Sequence, residues 1–510
     1  FNSRLVEKFR KEIFTLEYQT RIGSKEYLKS LDEDRKEENI DFFYMYESFD
    51  EIETWFEDYE NRIEDIKSVF INRVKVIWYE INETIDAVEV FTRLNMGKIP
   101  LTNAELVKGL FLRSKNFNKG EVTLQQLQIA QEWDGIEKSL QADDMWFFMQ
   151  NTDTYSNRIE FILKLMADEH NADSELKKDS FYTFLVFNNS FINDKGNDLK
   201  KWANVKRYFM TIEEWYEDRD LYHLVGYLVN QNIPIAKIRD ISETVDTKLG
   251  FKGALKEKVF NGLFGSNKQL SEFSSKNELN DYIKEYLINW EYGSKNIRAA
   301  LLLFNIASIL SNKASNLRFQ FDSYKKEEWD IEHVRSVSSD MPDRIDAQKD
   351  WINNVLEYFT GTNGHEQQVA LIAAMAVTRE KMICQIMLKI LSSNPFDVSL
   401  FNRIYDITLR YFKEAKERNT DNTIGNLALL DAGTNRSYKN AVFPIKRDRI
   451  LQLDKTGTFV PLCTKNLFLK YYSKQIDNMM FWSESDRDMY FDSILNTFVD
   501  FFDLEKGGSK

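Results

Sequence analysis

The chain has 510 residues, 43% hydrophobic and 29% charged, with 19 Gly and 6 Pro; average usage would give about 60 of those two residues together. Such a length allows roughly two to four folded units, and so few breakers exclude a collagen-like, linker-rich or turn-dense all-β chain. The 10 Trp, 23 Tyr and 38 Phe exclude intrinsic disorder, and a net charge of −13 excludes an indiscriminate DNA binder, since phosphate affinity needs clustered cations.

Along the chain, Leu31–Ser68 carries 15 Asp/Glu against 4 Lys/Arg, so nearly all of the net negative charge is local. Within it, Phe42, Tyr46, Phe49, Ile52, Phe56, Tyr59 and Ile63 recur every three or four residues, which predicts amphipathic helix over Ile40–Ile66 with the acids on its outer face. Val74–Ile81 is β-branched and aromatic and reads as a strand. Helix is expected at Glu83–Leu94, a turn at Asn95–Lys98, and a helix capped by Thr102 or Asn103 running to about Leu112. A loop around Asn116–Gly120 closes this first unit, 1–118. Amphipathic helices fill 119–295, with breaks near Asn171–Asp173, Asn189–Asn197, Asn232–Pro234 and Gly262–Asn267. The last unit, 296–510, holds helices around Ala300, Ala370 and Met382, a β-like Trp329–Val334 and the segment Gly425–Leu430.

No apolar run reaches the roughly 18 residues of a membrane span, the N-terminus lacks a signal-peptide pattern, and Cys384 and Cys463 are too few for a disulfide framework. The expected compartment is the cytoplasm.

Nucleotide-binding loops, nucleophile elbows and two-histidine zinc helices are missing from the sequence. Of four histidines, His170 reads as a helix C-terminal residue, His223 as a packed helical one and His365 as a loop residue. His333 has different company. Trp329-Asp-Ile-Glu-His333 sets an acid directly before it; Ile424-Gly-Asn426-Leu, then Asn435-Arg-Ser-Tyr-Lys-Asn440, then Phe443-Pro-Ile-Lys-Arg447 follow downstream. An acid–His pair, a Gly-Asn-Leu turn and a later Asn are the parts of an HNH, or ββα-metal, nuclease finger. An imidazole takes a proton from water near neutral pH, and a hard divalent cation on oxygen ligands stabilises phosphate charge. In that arrangement His333 is the general base, Glu332 and Asn435 are metal ligands, and Asn426 orients the His333 loop. Thr434–Lys455 has six Lys/Arg against two Asp, and Arg436, Lys439, Lys446 and Arg447 are candidate phosphate contacts. The structural alternative treats Gly-Asn-Leu as an ordinary turn, Asn435 as a cap and the basic run as a solvated face. Two departures count: 93 residues separate His333 from Asn426, requiring helices inserted at about 344–419, and Ser336 stands where many such enzymes have proline.

These four strings, with Phe459-Val-Pro-Leu-Cys-Thr464 and Phe468-Leu-Lys-Tyr-Tyr472, closely resemble the C-terminal HNH domain of GmrSD-type restriction proteins. Phe91-Thr-Arg-Leu-Asn95-Met-Gly97 and Leu101-Thr-Asn-Ala-Glu105-Leu-Val-Lys108 resemble the end of that family's ParB-like, DGQQR-type N-terminal domain. The resemblance implies an α+β, predominantly α-helical chain: a partial ParB-like domain, a helical middle, and a ββα-metal finger enlarged by helices. It implies cleavage of modified phage DNA with magnesium or manganese, nucleoside triphosphate hydrolysis by the N-terminal domain, and N-terminal motif residues Asn95, Gly97, Glu105 and Lys108. A capped helix after a Gly turn explains those four without any ligand. The Asp-Gly-Gln-Gln-Arg string itself is absent from these residues, so either a preceding segment carries it or this homologue lacks it, and nucleotide use stays an implication. DNA is the expected partner, with no membrane and self-association left open. The rival readings are a non-catalytic module of a defence system that binds DNA modifications or a partner, motivated by the acidic Leu31–Ser68, and a toxin with the same chemistry on RNA.

Overall fold

The structure, a computed structural model, describes residues 23–76, 101–113, 116, 122–155, 157–170, 173–193, 200–326, 329–335, 341–412, 421–431, 441–473, 479 and 481–503. Among these the chain is predominantly helical, with two strands, and so an α+β protein dominated by helix. The described residues divide into two compact units. One runs from the N-terminal part through Trp146 and takes in Asp153–Glu214; the other comprises Phe147–Thr152 and everything from Trp215 onward.

In the first unit, helix Ile40–Asp58 starts at Asn39, whose side chain accepts from the amides of Asp41 and Phe42. Its apolar stripe is buried only at the beginning. Ile40 and Phe42 are in the core, whereas Phe49, Ile52, Phe56 and Tyr59 are exposed. Periodicity marks which face is apolar; whether another element covers that face is a tertiary matter. Helix Asn103–Phe111 is capped as its sequence predicts. Thr102 accepts from the Glu105 amide and Glu105 Oε2 accepts from the Thr102 amide at 2.8 Å, a reciprocal capping box. Arg158 is buried and pairs with Asp143 at 2.7 Å and Asp153 at 2.8 Å, cross-linking three stretches of this unit. The strand expected at Val74–Ile81 lies outside the described residues except for irregular Val74–Val76; the helix at Glu83–Leu94, the turn at Asn95–Lys98 and all of the Asn116–Gly120 loop but Asn116 also lie outside them.

Two expected breaks shift, one in each unit. Helix Lys248–Phe264 passes through Gly262, because Val259, Phe260, Leu263 and Phe264 are all buried, and ends at Gly265, whose φ of 82° suits glycine. In the first unit, helix Tyr182–Asn193 likewise runs into the break expected from Asn189. Both cysteines are buried and free. No described helix is long and apolar enough to cross a membrane.

His223 is fully buried on helix Arg219–Asn230. Its Nδ1–H donates to the Arg219 carbonyl at 2.6 Å, and its Nε2 accepts from the Phe319 amide at 3.0 Å. Burial pushes this imidazole down to about 4 from 6.5. An unfolded chain therefore takes up a proton that the folded one refuses as pH falls from 6.5 to 4. Stability is complete above 6.5 and declines by about 3 kcal/mol across that window. Urea unfolding midpoints measured from pH 7 to pH 4 should show this fall, and His223→Gln should flatten it.

β1 (Asp330–His333) pairs antiparallel with β2 (Leu427–Leu430), with Asp330 opposite Leu430 and His333 opposite Leu427. All four β2 residues are buried, because helices Ile297–Ser311 and Leu462–Phe468 pack on it and helix Glu484–Phe502 packs on the turn before it. Among the described residues four helices lie between the strands: Ile345–Thr360, His365–Ala374, Arg379–Leu391 and Val398–Tyr411. They build their own core around Trp351, Met387, Phe401 and Tyr405, and that core extends to Ala441, Val442 and Ile445 at the start of helix Phe443–Lys455. The insertion is thus anchored on the helix that follows β2, so the two short strands meet despite their separation.

Candidate functional site

Successive residues of a strand point to opposite faces, and Glu332 and His333 at the end of β1 have separate partners. The side chain of Glu332 turns to Lys446, whose ammonium donates to Glu332 Oε1 at 3.0 Å and to the His333 carbonyl at 2.7 Å. Lys446 is 1% exposed and Glu332 9%. This corrects the expectation for Lys446. It is no surface phosphate contact, because a buried carboxylate without a cation would be far more costly than a solvated lysine. Arg447 beside it is half-buried.

His333 faces the other way. Its Nε2 lies 2.9 Å from Asn422 Oδ1. The Tyr292 ring lies against the imidazole, with centroids 4.6 Å apart and planes inclined by 32°. Neither Asn422 nor Tyr292 stands out in the sequence; Asn422 lies four residues before Asn426 in a polar loop, and only the tertiary fold brings it to the histidine.

Asn426 is 1% exposed and ends the short 3-10 turn Ile424–Asn426. Its carbonyl accepts from the Val334 amide at 2.8 Å and its Oδ1 from the Arg335 amide at 3.0 Å, while its Nδ2 donates to the Asp421 carbonyl at 2.9 Å. It therefore holds the exit of β1 in place. Asp421 is fixed in turn by Thr423 Oγ1 at 2.7 Å and Arg487 at 3.2 Å. Gly425 permits this close approach, since a Cβ there would meet Arg487 Cγ at 2.9 Å and its carbonyl oxygen at 3.0 Å.

Glu332, His333, Asn426 and Lys446 thus meet in one place within the second unit. Asn435, Arg436 and Lys439 lie outside the described residues, as do Asn95 and Gly97. Glu105 and Lys108 of the N-terminal motif have local partners: the capping box for Glu105, and for Lys108 an ion pair with Asp134 at 2.8 Å.

As a place for a hard divalent cation, the Glu332 carboxylate has the right chemistry and supplies one donor, its Oε1 being engaged by Lys446. Among the described residues no group of three or more His, Cys, Asp or Glu gathers to hold a metal.

Residues 392–491 match the family model of the GmrSD restriction endonucleases, C-terminal domain. This part of the chain is a GmrSD-type C-terminal domain. The match spans β2, Asn422, Asn426, Lys446 and Arg447, and begins downstream of Glu332 and His333, which β-pairing joins to it. The family so matched is one of restriction endonucleases. The ParB-like resemblance lies outside the matched residues. Neither a curated protein nor a solved structure matches the chain.

Proposed function

We infer that the chain is a DNA endonuclease of an anti-phage restriction system, acting in the cytoplasm on modified or foreign DNA by phosphodiester hydrolysis, with His333 as the general base. The observation that carries this reading is the juxtaposition of His333, one ring nitrogen engaged and one face covered by Tyr292, with the buried Glu332–Lys446 pair on a strand paired to the GmrSD-type segment. A positioned imidazole takes the proton of the attacking water. Asn426 keeps the strand end that carries His333 in register. Glu332, together with Asn435, would hold a magnesium or manganese ion, which would supply charge stabilisation at the phosphate and the leaving oxygen. Arg436, Lys439 and Arg447 would contact flanking phosphates.

Purified chain given magnesium or manganese should cut modified phage DNA, and EDTA should stop it. Intact DNA with either metal, on modified and unmodified substrates alike, would remove the reading; cleavage of RNA alone would reassign the substrate.

A second reading, a binding module without catalysis, is favoured by the exposed Phe49, Ile52, Phe56 and Tyr59 on an acidic helix, a surface that suits a protein partner better than DNA. On that reading cleavage is absent and phage protection survives loss of His333.

A further inference from the structure

We propose that Asn422 is a positioning residue for His333, fixing both the direction of the imidazole and its tautomer, with the proton on Nε2 and the lone pair on Nδ1. The geometry sets the tautomer directly. An amide oxygen only accepts, so the nitrogen 2.9 Å from Asn422 Oδ1 is the one that carries hydrogen. In the neutral ring the other nitrogen, Nδ1, is then the acceptor and the atom that receives a proton.

Asn422 is suited to this task because its own backbone is held. Its carbonyl accepts from the Tyr292 amide at 2.8 Å, and next to it Glu291 and Thr423 form an antiparallel bridge. That backbone tie seats Tyr292 where its ring covers one face of the imidazole. The neighbour on the other side, Asp421, is tied through Thr423 and Arg487, and its carbonyl accepts from Asn426. Asn426 in turn accepts from the Val334 and Arg335 amides just beyond His333. One loop, 421–426, therefore grips both the ring of His333 and the backbone that follows it. Rotation of the imidazole would break the Asn422 contact and leave the Tyr292 face together, so the ring is pre-oriented before any substrate arrives.

The role of Nδ1 as base rests on the function proposed above; the tautomer does not, and the experiment separates them. The 510-residue chain labelled with 15N-histidine gives four side-chain spin systems, and His333→Gln identifies the one from His333. In the wild type, long-range 1H–15N correlations should place Nε2 at a protonated shift and Nδ1 at an unprotonated one. Asn422→Leu, which cannot accept, should average the two tautomers and lower kcat roughly 10- to 100-fold with KM unchanged, while Asn422→Asp, which still accepts, should restore the wild-type tautomer and most of kcat. A circular-dichroism spectrum and melting curve matching wild type establish that each variant is folded; if Asn422→Leu is not, the wild-type spectrum and Asn422→Asp still decide. An unprotonated Nε2 in the wild type overturns the proposal, as does Asn422→Leu with tautomer and kcat both unchanged. If His333→Ala instead cuts normally, the catalytic reading falls and the spectrum still reports on the Asn422 contact.

Discussion

His333→Ala should reduce DNA cleavage about 10²- to 10⁴-fold, the range that a positioned general base contributes. Truncation removes the imidazole and leaves β1 in place. Asn426 accepts from the Val334 and Arg335 amides through its own carbonyl and side chain, and Lys446 reaches the His333 carbonyl, which alanine retains. The ring contacts with Asn422 and Tyr292 are lost. A gel-based cleavage time course beside a DNA-binding titration separates chemistry from affinity: the rate should collapse and the dissociation constant should hold. Equal rates for variant and wild type would mean that another group is the base.

Lys446→Met should be the most destabilising single change in this region. The side chain is nearly isosteric along its stem but has no ammonium, so Glu332 Oε1 and the His333 carbonyl both lose a buried donor. Removing one partner of a buried pair leaves an uncompensated charge, a cost of about 3–5 kcal/mol. The two side chains are 1% and 11% exposed, so solvent offers Lys446 nothing and Glu332 little. Urea unfolding should show a large drop in the midpoint for Lys446→Met. The double variant Glu332→Gln/Lys446→Met should recover part of that loss, because the stranded carboxylate is gone. A midpoint within error of wild type for Lys446→Met would contradict the account of this pair as a structural anchor.

The parts of the site that were legible in the sequence are those written as short local strings. Glu332-His333 on a β-like segment and Gly425-Asn426 before a run of four apolar residues each carry their signal within a few positions, and Leu427–Leu430, all apolar, are all buried. The placement of Lys446 was less visible, since a lysine in a basic run reads as solvated. A signal did exist: Phe443, Lys446, Ile450 and Leu453 recur at helical spacing and share the buried face of helix Phe443–Lys455. That series sets a cation in a row of core positions, which calls for a buried acid opposite. Asn422 had no such signal, because its contact with His333 depends on an 89-residue separation closed by tertiary structure. The helix over Ile40–Asp58 shows the opposite case. Its period was plain, yet Ile52 is 56% exposed, since periodicity defines an apolar face without supplying a neighbour to cover it.

Chemical rescue tests the central claim most directly. His333→Gly leaves a space where the imidazole stood, and free imidazole added to that variant should restore DNA cleavage in proportion to its concentration, with no such gain in the wild type. A glycine variant that cuts at the wild-type rate without added imidazole would contradict the assignment of His333 as the base.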